Sequence, residues 1–247
     1  MTRLDIALVE HGICESREKA KRAIMAGQVK VNGHVARKPS DTVKPGDNLV
    51  LESGDRYVSR GGFKLEHGLT HFQINPSNLR AADLGASTGG FTDCLLQHGA
   101  DHVYAVDVGH GQLAWKLRQD PRVTVMEKTN ARNLSPANFP QPFTLLDLVV
   151  IDCSFISLRK ILGAAVALLR PSGRILALIK PQFEAGKAEA DKGEGVIKDP
   201  AIHARVLQEL QSFAVSELLL KWLGTTESPL LGPAGNKEFL VLIEKPN

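Results

Sequence analysis

An acidic, glycine-rich segment, Asp83-Leu-Gly-Ala-Ser-Thr-Gly-Gly90, lies between an apolar run and an amphipathic run. The apolar run over residues 79–84 has the length and composition of a buried strand, and the residues after the glycines repeat with a helical period. A strand that passes through such a turn into a helix is the opening unit of a parallel α/β sheet. This segment therefore constrains the chain more than any other feature, because it predicts an α/β fold.

Apolar runs and helical patterns continue to alternate from Gly61 to the end of the sequence. Helices are predicted over 161–169, where Pro171 and Gly173 follow, and after Asp199-Pro200, whose acid and proline suit a helix start. The pattern predicts a doubly wound, mainly parallel sheet of seven strands. The predicted strands are residues 79–84, 102–108, 123–126, 145–151, 175–179, 218–223 and 239–243.

The first 50 residues differ from the rest in charge, with nine Lys or Arg against six Asp or Glu. Their excess of three positive charges equals the formal net charge of the whole chain. Short helical stripes and the hairpin signal Asn32-Gly33 predict a small α+β domain. We therefore expect a domain at residues 1–52, a polar linker at 53–60 and a larger domain at 61–247.

The sequence of 247 residues has no run of about 18 apolar residues and no apolar core of a secretory signal near its start. Its three cysteines are scattered and lack the spacing of metal ligands. They are interpreted as small buried apolar side chains of a reducing compartment. These features predict a cytoplasmic protein without a metal site.

Ligands of doubly wound sheets bind outside the carboxyl ends of the strands, where the turn 83–90 is expected to lie. Asp107 ends the second predicted strand, where a carboxylate can accept both ribose hydroxyls of an adenosyl group. The dinucleotide pattern Gly-x-Gly-x-x-Gly is absent, which suits a cofactor without phosphate such as S-adenosylmethionine. The alternative interpretation of the segment 83–90 is a structural turn in another kind of nucleotide-binding enzyme. For Asn130, a plain turn without cofactor contact is as good an interpretation as adenine binding. The predicted cofactor-binding residues are Asp83, Gly85, Ser87, Gly89, Asp107 and Asn130.

Four charged residues form a second constellation. Asp152 and Lys180 each follow an apolar strand, so both are expected at the sheet edge that holds the cofactor. Lys64 lies on a predicted helix before the first strand, and Glu238 is predicted to begin the last strand. Any one of these residues alone would be an ordinary solvated charge.

These four residues resemble the Lys-Asp-Lys-Glu tetrad of the FtsJ-type ribose 2′-O-methyltransferases. Over essentially the whole chain, the sequence is similar to the TlyA family. The resemblance implies a Rossmann-like class I methyltransferase domain preceded by an S4 RNA-binding domain. The motifs that carry it are the S4-like residues 1–50 and the segments 59–64, 83–92, 107–109, 152–157 and 180–184.

The resemblance also implies S-adenosylmethionine-dependent 2′-O-methylation of cytidine in ribosomal RNA. Lys180 is expected to stabilise the alkoxide that forms from the 2′-hydroxyl or, if deprotonated, to act as the base. Asp152 is expected to position Lys180, and Glu238 to hold Lys64. The family's older label of haemolysin is not supported, since neither a secretion signal nor a membrane segment is found. The charged segment 184–198 is either a loop that closes over RNA or a simple surface loop.

In the S4 family, a basic helix lies against the RNA backbone, which gives salt-sensitive recognition of shape. We expect ribosomal RNA in a ribosomal subunit as the partner, and 23S rRNA of the 50S subunit in preference to 16S, because the chain resembles the shorter family members. The alternatives are a ribosome-binding factor with an inactive methyltransferase fold, or a methyltransferase acting on another RNA or a small hydroxylated molecule. The predicted RNA-binding residues are Arg3, Arg17, Lys19, Lys21, Arg22 and Arg60.

Overall fold

The computed structural model describes residues 2–25, 27–51 and 56–247, and only the backbone of residues 187, 188 and 192. The chain divides into two compact units, Met1–Arg56 and Tyr57–Asn247. The predicted linker over 53–60 falls at this division, and its residues 53–55 lie outside the described residues.

The described residues of the N-terminal unit form two helices and two small sheets around one apolar core. Leu4 and Leu8 of the first helix and Ile24 of the second are fully buried in that core. Asn32 and Gly33 have φ of 51° and 83°, which matches the tight hairpin turn that their sequence predicts. The elements are β1 (Thr2–Arg3), α1 (Leu4–Glu10), α2 (Arg17–Met25), β2 (Val29–Val31), β3 (His34–Val35), β4 (Thr42–Val43) and β5 (Leu49–Leu51); β1 pairs with β4, and β2 pairs with both β3 and β5.

The second unit is built on a seven-stranded sheet in the order β11-β12-β10-β9-β6-β7-β8. Strand β12 runs antiparallel to both of its neighbours, and the remaining neighbours are parallel. The predicted fold class and strand number are therefore confirmed. The strands are β6 (Arg80–Leu84), β7 (His102–Val106), β8 (Val123–Met126), β9 (Leu146–Ile151), β10 (Leu169–Ile179), β11 (Lys221–Glu227) and β12 (Phe239–Glu244).

Helices cover both faces of this sheet, as a buried parallel sheet requires. Val149 and Val150 are consecutive in β9 and fully buried in separate cores, one on each face. None of the helices in the described part of the chain is long and apolar enough to cross a membrane. The helices are α3 (Gly61–His71), α4 (Gly90–Gln97), α5 (Trp115–Arg118), α6 (Arg159–Leu168), α7 (Pro181–Glu184), α8 (Lys187–Lys192) and α9 (Pro200–Ser212).

The structure corrects some predicted boundaries. The strand expected over 218–223 is Lys221–Glu227, because α9 continues as a wider turn over Phe213–Glu217 and Leu219 has a left-handed φ of 54°. The segment 184–198, read as a loop, contains the short helix α8. Glu238 precedes β12 by one residue rather than beginning it.

Candidate active site

A cavity of about 410 Å³ lies at the carboxyl ends of β6, β7 and β9. Of the predicted cofactor-binding residues, Gly85, Ser87, Asp107 and Asn130 line it, whereas Asp83 and Gly89 do not. Its wall also contains Asp152 of the predicted tetrad. The structure therefore brings most of the predicted cofactor residues together with one of the four predicted catalytic residues.

Gly85 and Gly89 are required by the backbone conformation of the turn and by the close packing around it, which the sequence alone did not indicate. Both have positive φ, 88° and 96°. A Cβ on Gly85 would lie 2.8 Å from the carbonyl oxygen of Asp152, and one on Gly89 would lie 2.3 Å from Leu117 Cδ1. The two glycines thus allow close packing of neighbouring protein segments, in addition to leaving the cavity open.

Asp107 is held by two backbone donors at the end of β7. Its Oδ2 accepts a hydrogen bond from Ser87 N at 2.8 Å, and its Oδ1 accepts one from Gly109 N at 2.6 Å. Ser87 Oγ also contacts Gln112 Oε1 at 3.3 Å. Gln112 lines the cavity and was missed in the sequence, because nothing in its local pattern distinguishes it.

Asp83 lies behind the turn and is fully buried. Its Oδ2 accepts hydrogen bonds from Thr92 N at 2.9 Å and from Thr92 Oγ1 at 2.7 Å, while its Oδ1 has no hydrogen-bond partner among the residues that the structure describes. Burial raises the pKa of Asp83 to about 7, and the hydrogen bonds from Thr92 oppose this rise. A buried oxygen without a partner is costly, so this position suits a further donor such as a water or a cofactor group.

Lys64 and Glu238 form a buried ion pair. Lys64 Nζ donates to Glu238 Oε2 at 2.5 Å across 174 residues of sequence. Lys64 is 7% exposed and Glu238 is 1% exposed. Glu238 reaches this edge because β12 is antiparallel, so that the start of β12 and the ends of the parallel strands coincide.

Lys180 and Asp152 form a second pair that borders the cavity. Lys180 Nζ lies 2.6 Å from Asp152 Oδ1 as an ion pair and donates a hydrogen bond to Ser154 Oγ at 2.8 Å. Ile179 is paired with Phe239, so Lys180, which follows β10, and Glu238, which precedes β12, lie next to this pair at the same edge of the sheet. The structure therefore places both lysine–carboxylate pairs at one edge of the sheet.

Phe155 is the most prominent residue that the sequence analysis did not single out. Its side chain is 90% exposed at the cavity wall, and its backbone has a left-handed φ of 63°. Its ring centroid lies 5.2 Å from that of Phe183, which follows β10. A bulky residue with positive φ is unusual, and such strain is most often found at functional sites.

Cys153 also lines the cavity, but its chemistry is that of a neutral thiol. Burial, together with the negative charge of Asp152, raises its pKa to about 12. Its Sγ donates to Leu84 O at 3.3 Å. In the described part of the chain, no three His, Cys, Asp or Glu side chains cluster in a way that could hold a metal ion.

The model of the FtsJ-like methyltransferase family matches residues 57–245, and the model of the S4 domain matches residues 2–49. The first match covers the whole sheet and all the residues of the site described above. The chain belongs to the FtsJ-like methyltransferase family. It is accordingly an enzyme that uses S-adenosylmethionine, as predicted, and its second unit is a class I methyltransferase domain.

Named relatives of this FtsJ-like methyltransferase cover nearly all of it. It is 49% identical over 246 residues to YqxC of Bacillus subtilis, covering 99% of this chain and 86% of that protein. It is 45% identical over 241 residues to the 16S/23S rRNA (cytidine-2′-O)-methyltransferase TlyA of Mycobacterium tuberculosis, covering 97% and 88% of the two chains. A 23S rRNA (cytidine-2′-O)-methyltransferase TlyA of Campylobacter jejuni is 30% identical over 244 residues, with 91% and 92% covered. The predicted resemblance to the TlyA family is confirmed.

A solved structure of a candidate hemolysin from Streptococcus thermophilus superposes on this methyltransferase with a TM-score of 0.76. The two are 45% identical, and the match covers 100% of this chain and 89% of the other. The older family name thus accompanies a methyltransferase fold.

In the S4 domain of this methyltransferase, two of the predicted RNA-binding residues contact a buried carboxylate. Arg3 Nε lies 3.0 Å from Asp5 Oδ1, and Arg17 Nε lies 2.9 Å from Asp5 Oδ2. Hydrogen bonding from Arg3, followed by that from Arg17, lowers the pKa of Asp5 to about 2 although the side chain is fully buried. Arg60 belongs to the second unit, where it is exposed before α3.

The remaining predicted RNA-binding residues lie on α2. Lys19 pairs with Glu15, and Lys21 Nζ lies 3.2 Å from Glu18 Oε1. Arg22 is exposed and has no ion pair or side-chain hydrogen bond among the residues that the structure describes. Of the predicted cations of α2, Arg22 is thus the one whose charge is not balanced by a local carboxylate.

Proposed function

We propose that this protein transfers a methyl group from S-adenosylmethionine to the 2′-oxygen of a cytidine in ribosomal RNA. The observation that carries the proposal is the position of Lys180. It is buried, it contacts Asp152 and Ser154, and it lies beside a cavity of the size and lining that the cofactor requires.

The residues of the cavity fit the cofactor. Asp107 is fixed by two backbone donors and faces the cavity, where it would accept the two ribose hydroxyls. Asn130 uses its Oδ1 to accept from Arg132 N at 3.0 Å, which leaves its amide NH₂ available to the adenine. The unpaired Oδ1 of Asp83 would accept a hydrogen bond relayed by water from the cofactor's amino group. When bound, the cofactor supplies an electrophilic methyl group on a positively charged sulfur.

Lys180 is the group that acts on the attacking hydroxyl. A ribose 2′-hydroxyl is a poor nucleophile, so its proton must leave as its oxygen attacks the methyl carbon. The Nζ of Lys180 would stabilise the developing alkoxide or, when neutral, take the proton. Asp152 and Ser154 fix the position of Nζ, and this alignment of the reacting groups contributes to the rate in its own right.

The Lys64–Glu238 pair has a different role in this proposal. Because both side chains are almost completely buried, the pair cannot exchange partners with solvent. It would provide a fixed arrangement of charges near Lys180 and would hold the first turn of α3 against the start of β12. Such preorganised charges act without reorganising during the reaction.

The exposed aromatic side chain of Phe155 and the names of the relatives support the proposed substrate class. Phe155 presents a flat ring at the cavity wall, and base–aromatic stacking is worth about 1–3 kcal/mol. The S4 domain supplies a cationic helix that suits phosphate binding. The names of the TlyA relatives give cytidine and ribosomal RNA as their substrates, which supports the same assignment here. Such a reaction belongs to the cytoplasm, where ribosomal subunits are assembled.

For the choice of subunit, we propose 23S rRNA of the 50S particle as the principal substrate. Both TlyA relatives are named for 23S rRNA, and one of them is also named for 16S rRNA. Modification of 23S is therefore the activity that the two names share.

The decisive experiment is transfer of radiolabelled methyl from S-adenosylmethionine to purified, unmodified 50S and 30S subunits. The labelled nucleotide is then mapped by mass analysis of ribose methylation. We expect label on the 2′-oxygen of a cytidine in 50S. Label on both particles would retract only the preference for 50S.

Absence of label on either particle, with cofactor binding intact by calorimetry, would overturn the ribosomal assignment. Retention of the protein on an RNA column at low salt would then favour another RNA or a ribosome-binding factor without activity. No retention would favour a small hydroxylated substrate.

A further inference from the structure

Two segments at the sheet edge are held together along their length. The first, residues 152–158, follows β9 and carries Asp152, Ser154 and Phe155; the second, residues 180–184, follows β10 and includes α7. We call them the β9 segment and the β10 segment. Neither is part of a regular sheet, so side-chain contacts must determine how they sit against each other.

The contacts between the segments run in the same order along both. Lys180 contacts Asp152 and Ser154, and Phe183 contacts Phe155. The last contact is made by Glu184, which joins the far end of the β9 segment. Glu184 does not line the main cavity and has no place in the reaction proposed above, yet it is the residue that holds the far end of the β9 segment through hydrogen bonds.

Glu184 makes two short hydrogen bonds. Its Oε2 accepts from Ser157 Oγ at 2.6 Å, and its Oε1 accepts from Leu158 N at 2.6 Å. Leu158 is the residue before α6, so its N–H has no partner within that helix. Burial raises the pKa of Glu184, which shows that the carboxylate sits in a partly desolvated place where breaking its hydrogen bonds would be costly.

We propose that Glu184 is a positioning residue for methyl transfer, whose carboxylate fixes the β9 segment against the β10 segment and so sets Ser154 and Phe155 relative to Lys180. The inference rests on the proposed function, in which Lys180 acts on the ribose hydroxyl. Without this link, the β9 segment would be held against the β10 segment only by Lys180 and by the ring contact of Phe155 with Phe183, and the backbone after Phe155 would no longer be fixed.

Substitutions at Glu184 distinguish a role of its hydrogen bonds from a role of its negative charge. A glutamine can keep both hydrogen bonds, because its oxygen can accept from Leu158 N and its NH₂ can donate to Ser157 Oγ, which then reverses its role. An alanine removes both. The matched control is Glu209→Ala, since Glu209 lies on the surface and also contacts the start of α6, through Arg159 Nη2 at 3.0 Å.

The first readout is steady-state methyl transfer on the subunit that the wild type modifies. We expect Glu184→Ala to lower kcat by about 100-fold, as misplacement of reacting groups by about 1 Å does. Glu184→Gln should remain within a few-fold of wild type, Ser157→Ala should be intermediate, and Glu209→Ala should match the wild type. All variants are first shown to be folded by thermal unfolding.

The second readout does not depend on activity. Amide hydrogen exchange at Leu158 and through the β9 segment should accelerate in Glu184→Ala and stay near wild type in Glu184→Gln and Glu209→Ala. If the wild type modifies no RNA, this measurement still tests the link, so failure of the proposed function and failure of this inference are distinguishable.

Two results would overturn the inference. Wild-type kcat and unchanged exchange in Glu184→Ala would show that the link positions nothing. An equal loss of kcat in Glu184→Gln and Glu184→Ala, with normal exchange in the glutamine variant, would show that the negative charge itself is required.

Discussion

In the N-terminal unit, Lys19 and Lys21 extend from the surface of α2 towards nearby glutamates, whereas in the second unit Lys64 and Lys180 are buried against carboxylates that are distant in sequence. An exposed pair contributes about 0–1 kcal/mol to stability. Removing one partner of a buried pair costs about 3–5 kcal/mol. The charges of Lys19 and Lys21 are thus available to a ligand at little cost to the fold, whereas the lysines at the sheet edge are held by ion pairs that also stabilise the fold.

The strongest test of this contrast is Lys180→Ala, for which we expect a loss of methyl transfer on the order of 10³-fold. Affinity for S-adenosylmethionine should stay near wild type, because Lys180 does not line the main cavity. Single-turnover kinetics and calorimetry measure the two quantities. Lys160→Ala, at an exposed position of α6, is the matched control. A collapse of cofactor affinity in Lys180→Ala would contradict the division of roles between the cavity and the lysine.

The expected difference in stability between buried and exposed ion pairs is tested by removing one charge from a pair of each kind. Lys64→Met leaves Glu238 buried without a partner and should lower the free energy of unfolding by about 3–5 kcal/mol. The double variant Lys64→Met/Glu238→Met should recover much of this loss. Lys21→Met, which breaks a surface pair, should cost less than about 1 kcal/mol. Chemical denaturation measures the free energy of unfolding of all three variants. Similar losses for Lys64→Met and Lys21→Met would contradict the difference between buried and exposed pairs.

A third test uses the pH dependence of the buried acid in the cofactor turn. The pKa of Asp83 is raised from 3.8 to about 7, so the folded state binds its proton more tightly than the unfolded chain. Asp83 therefore makes the protein less stable as pH rises through this window, by about 1.4 kcal/mol per pH unit. Asp83→Asn removes this contribution, and the variant should gain stability relative to wild type as pH rises from about 5 to about 7. A stability difference that does not change with pH would refute the burial argument.

The smallest expected effect concerns RNA affinity. Arg22 has no carboxylate partner in the described part of the chain, whereas Lys19 pairs with Glu15. Arg22→Ala should weaken RNA binding a few-fold and lower the slope of log affinity against log salt by about one. Lys19→Ala should do less, because part of its charge is already balanced. Fluorescence anisotropy across a salt series compares the two, and a larger effect of Lys19→Ala would reverse our assignment of the free charge on α2.

Much of the fold could be predicted because local sequence patterns indicate its strands, helices and turns. Most strands follow from apolar runs, although β10 begins earlier and β11 lies later than those runs predict, and the turn 83–90 follows from its glycines. Asp152 and Lys180 were expected at one edge because the ends of parallel strands meet there, whereas the pairing of Lys64 with Glu238 was expected from the family resemblance. Their positions in the structure agree with that expectation, while their catalytic roles stay predictions.

The rest depends on contacts that no local pattern encodes. Asp5 was not singled out in the sequence, yet it is buried between Arg3 and Arg17, two residues expected to bind RNA. Glu184 looked like one charge in a polar loop, although its partners lie 26 and 27 residues earlier. Sequence gives the residue types at an edge, but which donor an acceptor finds is decided by tertiary packing.

The antiparallel direction of β12 has a consequence for the order in which the enzyme is made. The cavity is lined by residues 85–161, which leave the ribosome well before Glu238 does. A nascent chain thus contains all the cavity residues while Lys64 still lacks the carboxylate that neutralises it. Only when the last strand inserts between β10 and β11 can that lysine be buried at low cost. Insertion of β12 therefore completes the sheet and at the same time brings Glu238 to Lys64, so the tetrad that we propose for catalysis is assembled last.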